Sequence, residues 1–194
     1  MKYLSREEQK QLLRELSRRK DATRDFMIIN LILNTGLRLG ECSSLKMSDT
    51  FDHYLSRIKP YLTVRRECSK TKKAREIPLN SRIYKRLSQF IRYKKRRGES
   101  LDPGDPLFLS RKKNPISRRA LESVVSKWLR EAKIGKNKYS VHSLRHSFAM
   151  RLRESGITLE RIRRLLGHNS ISSTVIYIEP SREDLIEAVE SLPK

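Results

Sequence analysis

Residues 22–34 limit the possible folds of this chain more than any other stretch. They carry Phe26, Ile29, Leu31, Ile32 and Leu33, a dense apolar run. A helix this apolar cannot lie at a surface, so it is expected to be buried as a core helix with other elements packed around it. Gly36 stops it, and Arg38-Leu39-Gly40-Glu41 opens a further helical segment through about Met47.

The remaining segments supply faces that can cover this core. Residues 5–19 start with Ser5 and have Glu8 three positions on, a capping-box pattern, with Leu12, Leu13 and Leu16 as an apolar face. Ser81 to about Arg97 carries Ile83, Leu87, Phe90 and Ile91, and Ile116 to Ile134 carries Leu121, Val124, Val125, Trp128 and Leu129. A helix from His142 to Ser155 is closed by Gly156, and Thr158 caps another bearing Leu159, Ile162, Leu165 and Leu166. The periodicity changes over 54–79, where Tyr61–Arg65 and Ala74–Leu79 read as short strands around a polar turn at Ser69–Lys73, with a third edge strand near Tyr54–Ile58. Gly98 to Pro106 is the strongest loop signal. The expected fold is therefore mainly α with a small antiparallel β-sheet (α+β), a single domain over residues 1–194. Two isolated cysteines, Cys42 and Cys68, fit reduced thiols in a cytoplasmic protein.

Charge narrows the function. Forty-four Lys and Arg against 22 Asp and Glu give +22, a surplus suited to a polyanion and above all to nucleic-acid phosphates. No stretch approaches 18 apolar residues, which argues against a membrane partner. The surplus is uneven. Arg57 to Arg97 holds 16 Lys and Arg against two acids, whereas Ser181 to Lys194 holds four acids against two bases. Lys72, Lys73, Arg75, Arg82 and Arg86 are the candidate DNA contacts, the last two on a basic helix face that also includes Lys85, Arg92 and Lys94. On composition alone a ribosomal or nucleoid protein fits as well.

The chemistry concentrates between Tyr139 and Pro180. His142 and Arg145 are three apart, one helical turn on a shared face. His168 follows the helix stop at Gly167, and Tyr177 comes nine residues later. Two histidines, an arginine and a tyrosine at helix faces and ends can converge on one phosphate, for attack on phosphorus by the tyrosine. His146 reads as a buried hydrogen-bonded support, and Glu41 as a group that orients its neighbours.

His142-Ser143-Leu144-Arg145, Leu166-Gly167-His168 and Tyr177, with intervals of 23 and nine residues from Arg145 to His168 to Tyr177, resemble the C-terminal signature of the tyrosine recombinases, the lambda-integrase and Xer family. Thr35-Gly36-Leu37-Arg38-Leu39-Gly40-Glu41 resembles that family's first arginine box. Ser69-Lys70-Thr71, eight residues from lysine to Pro78, resembles its β-hairpin lysine. The resemblance implies the integrase catalytic fold and site-specific DNA recombination through a 3′-phosphotyrosyl intermediate. It implies catalytic roles for Arg38, Lys70, His142, Arg145, His168 and the nucleophile Tyr177, with no metal or cofactor. Arg38 and Arg145 would clamp the phosphate oxygens while His168 donates a further hydrogen bond. Lys70 would protonate the leaving 5′-oxygen. The implied partners are double-stranded recombination sites, a homotetramer on DNA from a monomer or weak oligomer off it, and accessory DNA-bending proteins, in the cytoplasm at the nucleoid.

Other readings compete. A zinc site from His142, His146 and His168 lacks the glutamate of a His-Glu-x-x-His motif and a nearby cysteine or carboxylate ligand. A type IB topoisomerase shares the chemistry but relaxes DNA as a monomer, and a non-catalytic DNA-binding accessory protein could keep the fold. The expected domain organisation has no separate N-terminal DNA-binding domain. The chain is then either a piece of a longer protein or similar to the short fimbrial-switch invertases. Residues 182–192 read as an amphipathic helix suited to exchange between protomers.

Overall fold

The computed structural model describes residues 2–70, 72–135 and 139–168. Helix α2 (Thr23–Thr35) lies at the centre, and Met27 through Leu33 are all buried. Helices α1 (Arg6–Ser17), α4 (Ser81–Arg96), α5 (Arg118–Glu131) and α6 (Val141–Glu154) pack against it. This is the arrangement an all-round apolar helix demands. The expected helices at 5–19, 22–34, 81–97, 116–134 and 142–155 are all present within a few residues, and α7 (Leu159–Leu166) follows α6.

Local signals place the ends. The Ser5 hydroxyl accepts from the Glu8 N–H, and the Glu8 carboxylate accepts from the Ser5 N–H, so the capping box forms as read. Asn80 and Ser117 cap α4 and α5 through their side chains. Gly36 ends α2 at φ 63°, where a Cβ would lie 2.5 Å from Phe148 Cδ1 of α6 and 2.8 Å from Leu166 Cδ2 of α7. Both the backbone conformation and the close approach of two helices therefore require glycine there.

Three expectations need correction. The segment opened by Arg38 stops early: α3 is Leu39–Ser43, and Met47–Asp49 is a separate 3₁₀ turn. The strand expected near 54–58 does not edge the main hairpin. Strands β1 (Phe51–Asp52) and β2 (Arg57–Ile58) pair with each other, whereas β3 (Tyr61–Val64) pairs antiparallel with β4 (Arg75–Pro78), with Leu62 opposite Ile77. Lys94 is not on the basic outer face of α4. It is fully buried, its ammonium 2.8 Å from the Glu99 carboxylate, because that position lies among the apolar ones.

Two polar ties were not read from the sequence. The Trp128 indole N–H donates to Asp25 Oδ2 at 2.9 Å, and Arg24 holds the other oxygen at 2.6 Å, which joins α5 to α2. The Leu4 N–H donates to the Ser147 hydroxyl at 2.8 Å and pins the start of the chain on α6.

Candidate active site

One corner of the molecule brings together Arg38 and Glu41 of the first arginine box, Arg145 and His168 of the C-terminal signature, and Arg75. It forms where α3, β4 and α6 meet the C-terminal end of α7. The last carbonyls of a helix have no intrahelical partner and carry the negative end of its dipole, so they attract cations. Here Arg38 Nη2 donates to Gly167 O at 2.8 Å, and Arg145 Nη2 donates to Leu166 O at 2.7 Å. Arg145 also donates through Nη1 to Gly36 O, at the end of α2. The two guanidiniums, 107 positions apart in sequence, thus rest on adjacent carbonyls just ahead of His168.

Glu41 is the counter-charge. Its side chain is 1 % exposed. Oε2 accepts from the Arg38 N–H at 2.8 Å and from Arg75 Nη2 at 2.8 Å, while Oε1 accepts from Arg38 Nη1 at 3.0 Å and Arg75 Nη1 at 2.8 Å. Burial pushes the carboxyl up, but the Arg75 hydrogen bonds and charge, then those of Arg38, outweigh it and bring the pKa down from 4.5 to about 2. Glu41 is thus ionised throughout the physiological range.

Both half-buried histidines of the corner are held neutral. Burial is the largest cause for His168, followed by the charges of Arg145 and Arg38, and its pKa falls to about 4. His146 also falls to about 4, through burial and then the neighbouring His142 and Arg145. A neutral imidazole keeps one N–H, so His168 can still donate one hydrogen bond to an anion.

The other expected residues divide by location. Arg145 is buried whereas His142, in the first turn of the same helix, is exposed. Lys70 is exposed in the segment joining β3 to β4, beyond a 3₁₀ turn at Arg66–Cys68. Lys72, at φ 53°, and Lys73 are exposed in that connection, and Arg82 and Arg86 are exposed on α4, with Arg86 5.2 Å over the Phe26 ring. Arg75 departs from its expected place as a surface phosphate contact. Its side chain is only 10 % exposed, with all three nitrogens turned inward. Tyr177 and the helix expected over 182–192 lie outside the described residues.

A cavity of about 760 Å³ lies elsewhere, between the start of α2, the 97–100 and 109–115 loops and Trp128. None of the motif residues lines it, so size alone would point away from the chemistry. Among the described residues no group of three or more His, Cys, Asp or Glu is placed to hold a metal, and no helix is long and apolar enough to cross a membrane.

A mainly helical domain with a basic hairpin and an arginine–histidine corner defines an integrase-type catalytic fold. The model of the Phage integrase family matches residues 2–184, and the chain belongs to that family. It is similar to the tyrosine recombinase XerA of Pyrococcus furiosus, 35% identical over 97% of this chain and 61% of that protein. It is similar also to the tyrosine recombinase XerC of Caldanaerobacter subterraneus subsp. tengcongensis, 32% identical over 98% of this chain and 51% of that one. Among solved structures, a crystal structure of XerA recombinase superimposes with a TM-score of 0.78 at 28% identity, covering 100% of this chain and 66% of that one. The chain therefore spans about half to three-fifths of the length of these curated relatives.

Proposed function

We propose that this chain cuts and rejoins DNA strands at specific sites through a covalent tyrosine–phosphate link. The observation that carries the reading is the pairing of Arg38 and Arg145 on adjacent carbonyls beside His168. Cleavage of a phosphodiester builds negative charge on the non-bridging oxygens. Preorganised donors aimed at that charge are the largest single source of catalysis in such reactions. Arginine suits the task because its planar fork stays protonated and meets two oxygens at once.

In this reading the Tyr177 oxygen attacks phosphorus and loses its proton, with His142 accepting it or positioning the phosphate. The bond from phosphorus to the 5′-oxygen breaks, and Lys70 supplies the proton that this oxygen needs. The covalent link conserves the bond for rejoining, so the step needs neither ATP nor a metal. The +22 charge supports double-stranded DNA as the substrate. Assembly as a tetramer on two duplexes, accessory DNA-bending proteins and a place at the nucleoid belong to the same proposal. So does exchange of residues 182–192 between protomers, for which a deletion variant that binds one half-site without assembling on a full site is the test.

The experiment is incubation with a nicked suicide duplex carrying the recombination site. Wild type should form a protein–DNA adduct whose linked peptide contains Tyr177, and Tyr177→Phe should bind the duplex without forming it. An adduct at wild-type level in that variant would remove the nucleophile assignment.

A further inference from the structure

Three successive carbonyls at the end of α7 accept hydrogen bonds from three arginines of three different elements. Gly167 O takes Arg38, Leu166 O takes Arg145, and Leu165 O takes Arg75 Nε at 3.1 Å. Arg75 differs from the other two in what it does with its remaining nitrogens. Nη1 and Nη2 make a parallel pair of 2.8 Å bonds to the two oxygens of Glu41. All of its nitrogens therefore face protein acceptors, and none is shown turned to solvent as a phosphate contact would be. Its stem fills the space beside Gly167, where a Cβ would lie 2.9 Å from Nη1 and 3.0 Å from Cδ. Glycine at 167, with φ 64°, is what lets the arginine lie against the turn that presents His168.

We infer that Arg75 is a positioning residue of the strand-cleaving site: it fastens β4, Glu41 of α3 and the end of α7 to one another, and so sets where Arg38 and His168 stand. The inference rests on the proposed cleavage activity. Each Glu41 oxygen is shared between Arg38 and Arg75, so the carboxylate is held from two sides and cannot follow Arg38 as that side chain engages a phosphate. Lysine could keep the charge but has a single nitrogen on a flexible stem, so it cannot span Leu165 O and both carboxylate oxygens. Misplacement of reacting groups by about 1 Å can cost on the order of a hundredfold in rate.

The test uses the full chain as wild type, Arg75→Met, Arg75→Lys, Glu41→Gln and the Glu41→Gln/Arg75→Met double variant. Adduct formation on the suicide duplex is timed in single turnover at saturating DNA. DNA affinity is measured over a salt series, and the His168 ring signals are followed by NMR without DNA. Arg75→Met should slow cleavage by about 10–100-fold with little change in affinity or in salt slope. Arg75→Lys should recover only part of the rate. The double variant should be no slower than the slower single variant, because both residues act through one link. Wild-type cleavage by Arg75→Met overturns the inference, as does a salt slope reduced by about 1, the mark of a lost phosphate contact. If Arg75→Met fails to fold, Arg75→Lys decides: folded with a full cleavage rate, it overturns the inference. The absence of any wild-type adduct would instead sink the cleavage reading. The His168 signals of Arg75→Lys then still report whether Arg75 holds that corner, since an unmoved ring means that it does not.

Discussion

Arg38 and Arg145 differ in how far each is also part of the fold, and that difference is measurable. Arg145 is 5 % exposed and ties Gly36 O to Leu166 O, whereas the Arg38 side chain is 21 % exposed and is shared with Glu41. Each replacement by alanine should lower single-turnover cleavage by roughly 10²–10³-fold, the loss of one charge-stabilising donor. Arg145→Ala should in addition lower the melting temperature more than Arg38→Ala, since a buried carbonyl left without a donor costs about 1–3 kcal/mol. Wild-type cleavage by either variant would sink the clamp. Lys70→Ala should be rescued by DNA whose 5′ leaving group is a thiolate, which needs no proton. If such DNA restores nothing, Lys70 is not the acid. The sequence singled out Arg145 by its intervals to His168 and Tyr177 and Arg38 by the Thr35–Glu41 box, both of which survive in one dimension. It could not identify Arg75, which looks like one more cation in a basic run. Only the fold shows that Glu41, 34 positions away, absorbs it.

The elements carry a pH dependence that follows from the corner's ionisations. Glu41 titrates at about 2 in the folded chain against 4.5 unperturbed, so its contribution to stability is complete above pH 4.5 and is lost as pH falls toward 2. His146 and His168 titrate at about 4 against 6.5. The unfolded chain takes up their protons first, so their neutral forms favour the fold above pH 6.5 and that contribution is lost on acidification toward 4. Thermal melts at a series of pH values should therefore decline from about 6.5 downward, with Glu41 adding to the fall below 4.5. Glu41→Gln should melt lower at neutral pH but show a shallower decline below 4.5, and a parallel decline would show that Glu41 is not the acid-sensitive group. Helix positions were legible because apolar spacing and caps are local: Ser5 with Glu8, Gly36, and the stripe of α4 are each contained within a turn or two. The early end of α3, the separate β1–β2 pair and the inward Lys94 were not legible. The first depends on a partner distant in sequence, Asp105 O accepting from the Met47 N–H at 2.8 Å, and the last on the side of α4 that other elements cover. The β1–β2 pair is local, Phe51 opposite Ile58, but its two-residue strands are too short to show a period of two.

For the whole molecule, net charge overstates what is free to meet DNA. Of the basic residues between Arg57 and Arg97, Lys59 donates to Ser48 O at 2.7 Å and Arg65 is bound to Asp49 at 3.0 Å. Arg75 is held by Glu41 and Lys94 by Glu99. These four cations hold the fold together. Lys72, Lys73, Arg82 and Arg86 remain exposed, the two lysines in the connection between β3 and β4. Phosphate neutralisation releases counterions, so log K should fall linearly with log salt, with a slope of about 0.9 per phosphate contact on duplex DNA. The Lys72→Gln/Lys73→Gln variant should flatten that slope by about 2 and weaken binding to matched and unrelated duplexes alike, since backbone contacts carry no sequence information. Arg65→Gln, by contrast, should leave the slope unchanged while lowering the melting temperature, because its loss leaves the buried Asp49 carboxylate without its cation. Fluorescence titrations of a labelled duplex between low and moderate salt read both quantities. A slope unchanged in the double lysine variant would show that the hairpin does not track the backbone. A slope flattened by Arg65→Gln would show that the ion pair opens on DNA, and that the free surface cannot be read from the unbound fold.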